Sequence, residues 1–269
     1  MAPWPITFLS DYGCRDEFAG VCRAVIAAIE PGATVIDLTH GIPRHSVSQG
    51  AQVLANALPF APPGVHLAVV DPEVGTDRRS VAVRVESGDR LLVGPDNGLL
   101  SRAIERFDGA TMAVDVSRSR FRLEPTSATF HGRDVFAPVA AHLAGGADLA
   151  RAGEEIDPGS LAALPRSEPA IEPDRVIARV VSIDGFGNVA LDLAAHHLPR
   201  TGLRPGGELT VEAGGARREA LFARTFAEVS PGELILYEDS WKQLALALNR
   251  GSAAEALGLV PGDEVILRP

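Results

Sequence analysis

The feature that most constrains the fold is a change in hydrophobic period between the two halves of the chain. In the first half, short apolar runs typical of buried strands alternate with segments whose apolar residues recur every three or four positions, as on one face of a helix. This alternation predicts a parallel sheet covered by helices. The predicted strands are residues 6–10, 35–38, 65–70, 80–85 and 90–93, the last two as a hairpin. The predicted helices are residues 17–29, 47–58, 99–104 and 135–143.

The second half of the chain has the pattern of a small β domain. Residues 145–175 are rich in Gly, Pro, Asp and Glu, which predicts a linker in this segment. We predict an N-terminal domain of residues 1–168 and a C-terminal domain of residues 175–269. Beyond it, short strand-like segments are separated by turn residues. We therefore predict an α/β protein with a Rossmann-like N-terminal domain and a smaller C-terminal antiparallel β-barrel or sandwich. The predicted C-terminal strands are residues 176–183, 188–192, 208–213, 219–222, 234–238, 244–248 and 264–267.

Charge and cysteine content narrow the classes of partner. The chain has 25 Lys and Arg against 35 Asp and Glu, a formal net charge of −10. This disfavours nucleic acid and anionic membranes, because both are bound through basic patches, and favours a small molecule. No signal peptide pattern is present, no apolar run approaches the ~20 residues that span a bilayer, and Cys14 and Cys22 are not predicted to pair. We expect a cytoplasmic protein.

Acidic residues follow three of the predicted strands. Asp11, Asp71 and the Asp96-Asn97 pair come directly after strands of the first half. Any one of these aspartates is more often a helix cap or turn residue than a ligand-binding group. In an open α/β sheet, however, ligands bind at the carboxyl ends of the strands, so the repetition favours a binding site at this edge.

Two polar turns carry further candidate groups. Residues 69–80 form a Pro- and Gly-containing loop with Asp71 and Arg78, and residues 129–134 form a turn that contains His131. Asp71 and Arg78 could be a loop ion pair of little energetic value. Histidine titrates near neutral pH, which suits catalysis, but a structural role for His131 is the more frequent case. From these residues alone both interpretations stay open.

Six motifs in order resemble those of the S-adenosylmethionine hydroxide adenosyltransferases, a family that also contains the bacterial fluorinase and chlorinase. The resemblance spans essentially the whole chain, and six ordered motifs make coincidence improbable. It implies an α/β N-terminal domain, a β C-terminal domain and a homotrimer with active sites between neighbouring subunits. The motifs are TFLSDYG (7–13), VVDPEVGTDRRSVAV (69–83), GPDNGLL (94–100), TFHGRDVFAPVAAHLA (129–144), DGFGNV (184–189) and NRGSAA (249–254).

This resemblance implies hydrolysis of S-adenosylmethionine at the 5′ carbon to adenosine and L-methionine, with no metal or other cofactor. Asp71, Arg78 and His131 match the family's water-handling triad. The halogenating relatives look different, with tyrosine at the positions of Asp71 and His131 and serine at that of Gly132. A halide would be repelled by the Asp71 carboxylate at short range, which favours water as the nucleophile.

The resemblance also implies a set of substrate contacts. Asp11 would hold the ribose hydroxyls, because a carboxylate can accept two hydrogen bonds from a vicinal diol. Asp16, Asp184 and Ser240 would hold the amino-acid end of methionine. Phe130, in the TFHGRD turn, would also contact the substrate.

The adenine contacts are implied in the C-terminal domain. Asn188 and the backbone near Asn249 would read the adenine edge, and Phe226 would stack on its face. Asn188 also suits a turn after Gly187, and Phe226 also suits a core position, so structural roles stay open for both. The sequence departs from the family pattern at Glu73, where many relatives carry glycine.

Two other functions compete with this one. Asp11, Asp71, His131 and Asp134 could form the divalent-metal site of a metallohydrolase, since aspartate and histidine at strand ends are common ligands. Alternatively, the chain could bind S-adenosylmethionine or a nucleoside without turnover. A nicotinamide dehydrogenase is disfavoured, because no G-x-G-x-x-G follows the first strand.

Overall fold

The computed structural model describes residues 2–269, which form two compact units, residues 2–164 and 165–269. Each unit contains its own hydrophobic core. Cys14 is exposed, Cys22 is buried, and both are free thiols. Within residues 2–269, none of the helices combines the length and the apolar character that crossing a bilayer requires.

The N-terminal unit is built on a seven-stranded mixed sheet in the order β2-β1-β3-β5-β4-β6-β7. Strands β2, β1, β3 and β5 are parallel, whereas β4 and β5 form the predicted antiparallel hairpin. The seven strands are β1 (Ile6–Ser10), β2 (Val35–Thr39), β3 (Gly64–Val69), β4 (Ser80–Val85), β5 (Arg90–Pro95), β6 (Ala110–Asp115) and β7 (Glu154–Ile156). The parallel α/β sheet is thus confirmed, with an antiparallel extension at one edge.

That extension lies partly in the segment predicted as a linker. β7 pairs with β6, so residues 145–164 belong to the N-terminal unit and residues 154–156 complete its sheet. Asp148 and Asp157 each accept a hydrogen bond from a backbone amide two residues on and begin short 3-10 helices. The Pro, Gly and Asp content of this segment therefore reflects capped turns rather than a flexible connection.

Helices cover both faces of the N-terminal sheet. Phe8 and Leu9 are neighbours on β1 and point to opposite faces, each into a separate buried cluster. The first cluster includes residues of α1 and α4, and the second includes residues of α2 and α3. The helices are α1 (Phe18–Ile29), α2 (Val47–Ala57), α3 (Ser101–Arg106) and α4 (Ala137–Ala144).

The buried face of α1 differs from the one its largest apolar residues suggest. The side chains of Ala19, Cys22 and Ile26 are buried, whereas Phe18 at the start of the helix is 39% exposed. Helix α1 packs against α4, and Ala19, Cys22 and Ile26 share a buried cluster with residues of α4. The exposed ring of Phe18 is left to line the cavity described below.

The C-terminal unit is a closed seven-stranded β-barrel with one additional edge strand, β8. Pairing of β9 with β10 closes the barrel, which confirms the barrel alternative. Its strand pairs are antiparallel except for the parallel pair β12 and β13. The elements are β8 (Ala170–Ile171), β9 (Val176–Ile183), β10 (Val189–Ala194), β11 (Glu208–Ala213), β12 (Ala216–Phe222), β13 (Leu234–Glu238), β14 (Gln243–Leu248), α5 (Ala253–Leu257) and β15 (Glu264–Arg268).

Candidate active site

A cavity of about 280 Å³ opens at the carboxyl end of the parallel strands in the N-terminal unit. β1 lies between β2 and β3, and the chain passes to β2 on one side before it returns to β3 on the other. Ligands bind in α/β sheets at such a switch point, in the crevice outside the strand ends. The loops after β1 and β3 place Asp11 and Asp71 there, and the turn before α4 adds His131.

Asp71 and Arg78 form a buried, two-pronged ion pair beside this cavity. The Arg78 Nε donates to Asp71 Oδ1 at 2.8 Å, and Nη2 donates to Oδ2. Their side chains are only 5% and 6% exposed. The pair is therefore not the weak surface ion pair that the loop sequence allowed, because little solvent screens it.

Arg78 also binds His131 through the same terminal nitrogen. Its Nη2 lies 3.0 Å from His131 Nδ1, while Nη1 donates to the Ser80 hydroxyl at 2.8 Å and to the Arg79 carbonyl at 3.2 Å. A guanidinium has five hydrogens to donate. Each is assigned to an acceptor in the protein, so Arg78 orients Asp71 and His131 and has no hydrogen left for a substrate.

The contact with Arg78 also selects the tautomer of His131. Because a guanidinium can only donate, Nδ1 must accept, and the neutral imidazole carries its hydrogen on Nε2. Burial lowers the pKa of His131, and the adjacent Arg78 charge lowers it further, against the opposing influence of Asp71 and Asp134. His131 is therefore a neutral hydrogen-bond donor at physiological pH.

A π-helical turn and a tight loop present the triad. Residues Gly132–Phe136 form the π-helix that leads into α4, and such turns are frequent at functional sites. In the loop that carries Asp71, Gly75 has φ +83 and lies so close to the carbonyl of Ala128 that a Cβ would stand 2.5 Å from it. Glycine is thus required at residue 75, whereas Glu73 has no positive φ and fits without strain.

Asp11 lines the cavity with one carboxylate oxygen available. Its Oδ2 accepts a hydrogen bond from the backbone N–H of His45 at 3.0 Å, and no described residue donates to Oδ1. The third strand-end group behaves differently. Asp96 is paired with Arg79, and the Asn97 amide donates to the Val70 carbonyl, so neither reaches the cavity.

Asp16 and Phe130 also line the cavity, and so do four residues that the sequence analysis missed: Tyr12, Phe18, Arg44 and His45. Arg44 and His45 lie in the loop after β2, whose carboxyl end meets the same edge because β2 is parallel to β1. His45 has a positive φ of 64°. The rule that ligands bind at the carboxyl ends of strands, which predicted Asp11 and Asp71, also predicts Arg44 and His45. They were missed because the rule was applied to acidic residues and not to basic ones.

The four residues of the metal-site alternative do not assemble into a ligand cluster. Within residues 2–269 there is no group of three or more His, Cys, Asp or Glu placed to hold a metal ion. Asp134 is instead bonded to Arg133 and to the Ser127 amide. Burial opposes its ionisation, but these hydrogen bonds outweigh burial and lower the pKa of Asp134.

Comparison with protein families decides the relationship. The family model of the SAM hydroxide adenosyltransferase N-terminal domain matches residues 6–153, and the family model of the corresponding C-terminal domain matches residues 178–266. The chain belongs to the SAM hydroxide adenosyltransferase family. The resemblance carried by the six motifs is thereby confirmed over nearly the whole chain.

Individual relatives agree with this membership. The chain is 46% identical to a Salinispora tropica protein named (R)-S-adenosyl-L-methionine hydrolase, over 98% of each chain. A Nocardia brasiliensis fluorinase is 28% identical, over 97% of this chain and 95% of that one. An uncharacterised conserved protein from Thermotoga maritima superposes with a TM-score of 0.89 at 34% identity, covering 98% of this chain and all of that one.

Two family residues in the C-terminal unit bind each other. Asp184 Oδ2 accepts from the Asn188 side-chain amide at 2.8 Å, and Oδ1 accepts from the backbone amides of Phe186 and Asn188 at 2.9 Å. These bonds shape the turn between β9 and β10. Asp184 and Asn188 thus have a structural role in this turn, whatever else they contact.

The other three C-terminal residues lie in loops of the barrel. Phe226 is not a core residue, since its ring is 38% exposed and lies 5.5 Å from that of Tyr237. Ser240 is exposed in the β13–β14 turn. Asn249 follows β14 and donates from its side chain to the Val229 carbonyl at 2.8 Å. Their substrate contacts stay predictions.

Proposed function

We propose that this protein hydrolyses S-adenosyl-L-methionine with water to give adenosine and L-methionine. The observation that carries the proposal is the single guanidinium of Arg78, which binds Asp71 and His131 together beside a cavity at the switch point of the sheet. Family membership and the hydrolase name of a relative at 46% identity supply the substrate.

The reaction is a displacement at the 5′ carbon. The water oxygen forms the new bond to this carbon, the carbon–sulfur bond breaks, and its electron pair returns to sulfur. Methionine leaves as a neutral thioether, so no acid is needed for the leaving group. The enzyme must orient one water and accept its proton.

The triad divides this work. Asp71 is the acceptor for the proton of the water. Neutral His131 cannot take this role, because its Nδ1 accepts from Arg78 and its Nε2 carries a hydrogen and therefore donates. Arg78 is a positioning residue, since its five hydrogens are committed within the protein. Orientation of a bound nucleophile can lower a barrier by about 7–11 kcal/mol, whereas a general base contributes about 10²–10⁴-fold, so positioning is the larger part.

The N-terminal cavity alone lies at the small end of the range for small-molecule sites. Its volume of about 280 Å³ lies below the roughly 300–1,000 Å³ of small-molecule sites. We therefore propose that the protein forms a homotrimer in which each pocket is built by two neighbouring subunits. One subunit contributes Asp11, Asp16 and Phe130. The C-terminal unit of its neighbour completes the pocket with Asp184, Asn188, Phe226, Ser240 and Asn249. Light scattering after size exclusion should give three times the chain mass.

The proposal is tested by incubating the purified protein with S-adenosylmethionine, with and without chloride, and identifying the products. Adenosine and methionine should form equally in both, because the Asp71 carboxylate opposes a halide. In ¹⁸O-labelled water the label should enter the 5′ hydroxyl of adenosine. Binding without adenosine would instead support the non-catalytic alternative, and 5′-chloro-5′-deoxyadenosine would support a halogenase.

The pH dependence of activity should reflect neutral His131. Because the folded pKa of this imidazole is lowered, it stays neutral as pH falls below 6.5 and is protonated only at lower pH. The acid limb of kcat/KM is therefore expected below pH 6.5, measured by adenosine release. In His131→Asn, whose side chain does not titrate, residual activity should not vary between pH 5 and 8; a wild-type midpoint at or above 6.5 would contradict this assignment.

Removal of divalent metals should leave turnover unchanged. We propose that the enzyme needs no metal or other cofactor, because Asp71 is neutralised by Arg78 and Asp134 by Arg133 rather than by a metal ion. Assays after dialysis against EDTA, and again after adding Mg²⁺, Mn²⁺ or Zn²⁺, should agree within error. Loss of activity with EDTA and its return with one metal would favour the metallohydrolase.

A further inference from the structure

We propose that the Tyr12 hydroxyl is a further positioning group for the attacking water, and that it occupies its place because residue 132 is glycine. The inference rests on the proposed function and extends it to a residue outside the triad. Tyr12 lies in the loop after β1, next to Asp11, and lines the same cavity as Asp71 and His131.

The hydroxyl stands where a side chain at residue 132 would stand. A Cβ built on Gly132 would lie 2.0 Å from Tyr12 Oη and 3.0 Å from Cζ. Gly132 directly follows His131 and has no positive φ, so its backbone does not require glycine. The space taken by the phenol oxygen is therefore what excludes a side chain here, and it brings the hydroxyl beside the triad.

The rest of Tyr12 is held firmly. Its ring makes edge contacts with Phe8 and Phe130, at centroid distances of 6.4 and 5.8 Å, and a tilted contact with Phe18 at 5.7 Å. Its backbone N–H donates to the hydroxyl oxygen of Ser10 at 3.3 Å. Packing on three sides leaves the ring little freedom, so the position of the hydroxyl is determined by the fold.

The Tyr12 hydroxyl makes no hydrogen bond with any residue between 2 and 269, and in this it resembles His131 Nε2 and Asp11 Oδ1, which line the same cavity. Facing the cavity, it is placed to bond with what the cavity holds. This separates Tyr12 from the three aromatic residues around it, which offer only apolar surface.

The attacking water needs a donor of this kind. Once the water gives a hydrogen to Asp71 and directs one lone pair at the 5′ carbon, its second lone pair can accept a shared, three-centre hydrogen bond from His131 Nε2–H and the Tyr12 hydroxyl. Burial, reinforced by Cys22, Asp11 and Asp71 against the opposing charge of Arg78, raises the pKa of Tyr12 well above its usual value. The phenol therefore keeps its hydrogen and donates it.

Three variants test the inference: Tyr12→Phe, Gly132→Ala and the double variant. Each single variant should lower kcat about tenfold, the effect of one neutral hydrogen bond, with KM for S-adenosylmethionine unchanged. Tyr12→Phe removes the oxygen, and Gly132→Ala displaces it. The double variant should also lose about tenfold rather than a hundredfold, because both changes remove the same hydroxyl.

Stability measurements distinguish this role from packing. Gly132→Ala should lower the thermal midpoint, and Tyr12→Phe added to it should recover most of that loss, because the closest contact relaxes from 2.0 to 3.0 Å. Gly20→Ala is the matched control, since a Cβ there meets nothing within 4 Å, and it should leave kcat unchanged.

The inference is overturned if Tyr12→Phe keeps the wild-type kcat, if it raises KM alone, or if the two substitutions multiply to a hundredfold loss. Wild-type turnover, measured first, decides the proposed function separately. An active wild type with a silent Tyr12→Phe would reject only the role of the hydroxyl.

Discussion

Replacing Asp71 by asparagine is expected to reduce kcat for adenosine release by about 10²–10⁴-fold, because the amide cannot accept the proton of the attacking water. Binding of S-adenosylmethionine, measured by calorimetry, should change little. The same substitution leaves the Arg78 guanidinium buried without a counter-charge. Losing one member of a buried pair costs about 3–5 kcal/mol, so the free energy of unfolding should fall as well.

Asp96→Asn is the matched control. Asp96 also follows a strand of the same edge, its side chain is 6% exposed, and it pairs with an arginine, Arg79. It does not line the cavity. We expect a smaller loss of stability, since Arg79 is partly exposed, and wild-type kcat for the folded protein. Equal losses of turnover in the two variants would show that Asp71 acts through stability alone.

Acid should destabilise the protein through His66, a histidine that does not line the cavity. His66 is fully buried in β3, its Nδ1 lies 2.8 Å from the Thr7 hydroxyl, and Arg90 donates to Nε2 at 3.0 Å. Burial, together with the Arg90 charge, lowers the pKa of His66 to about 3. The folded state therefore resists a proton that the unfolded chain accepts below its ordinary pKa of 6.5.

This difference in pKa between the folded and the unfolded state makes the protein less stable as pH falls. The stability conferred by neutral His66 is complete above pH 6.5 and is lost as pH falls towards 3, by about 1.4 kcal/mol per pH unit, or about 3 kcal/mol between pH 7 and pH 4. Urea unfolding at pH 7, 6, 5 and 4 measures it. In His66→Gln the slope should be smaller by this amount, even though the variant starts less stable; parallel slopes would contradict the assignment.

The elements with strong periodicity were predictable. β1, β4, β9, β11 and β13 have the bounds expected from their runs of β-branched and aliphatic residues. β6 (Ala110–Asp115) and α5 (Ala253–Leu257) were not expected. β6 is stabilised by pairing with β4, and α5 by a Ser252 cap and contacts with β14, and these are interactions that a local pattern does not contain.

The candidate site was predictable in its chemistry but not in its geometry. Asp11 and Asp71 follow from the rule that ligands meet the carboxyl ends of strands, and the family motifs add Arg78 and His131. Whether Asp71 and Arg78 formed a surface ion pair could not be decided from a loop sequence. Neither could the tautomer of His131, since it depends on a contact with a residue 53 positions away.

By itself, the sequence determined the class of fold, the family and the groups able to carry the reaction, because hydrophobic period and motif order are properties of the chain. Only the tertiary structure decided how Arg78 shares its hydrogens and why Tyr12 needs glycine at residue 132. Those facts depend on strand order, which brings the loops after β1 and β3 and the turn before α4 to one edge. Local conformational preference carries no information about that order.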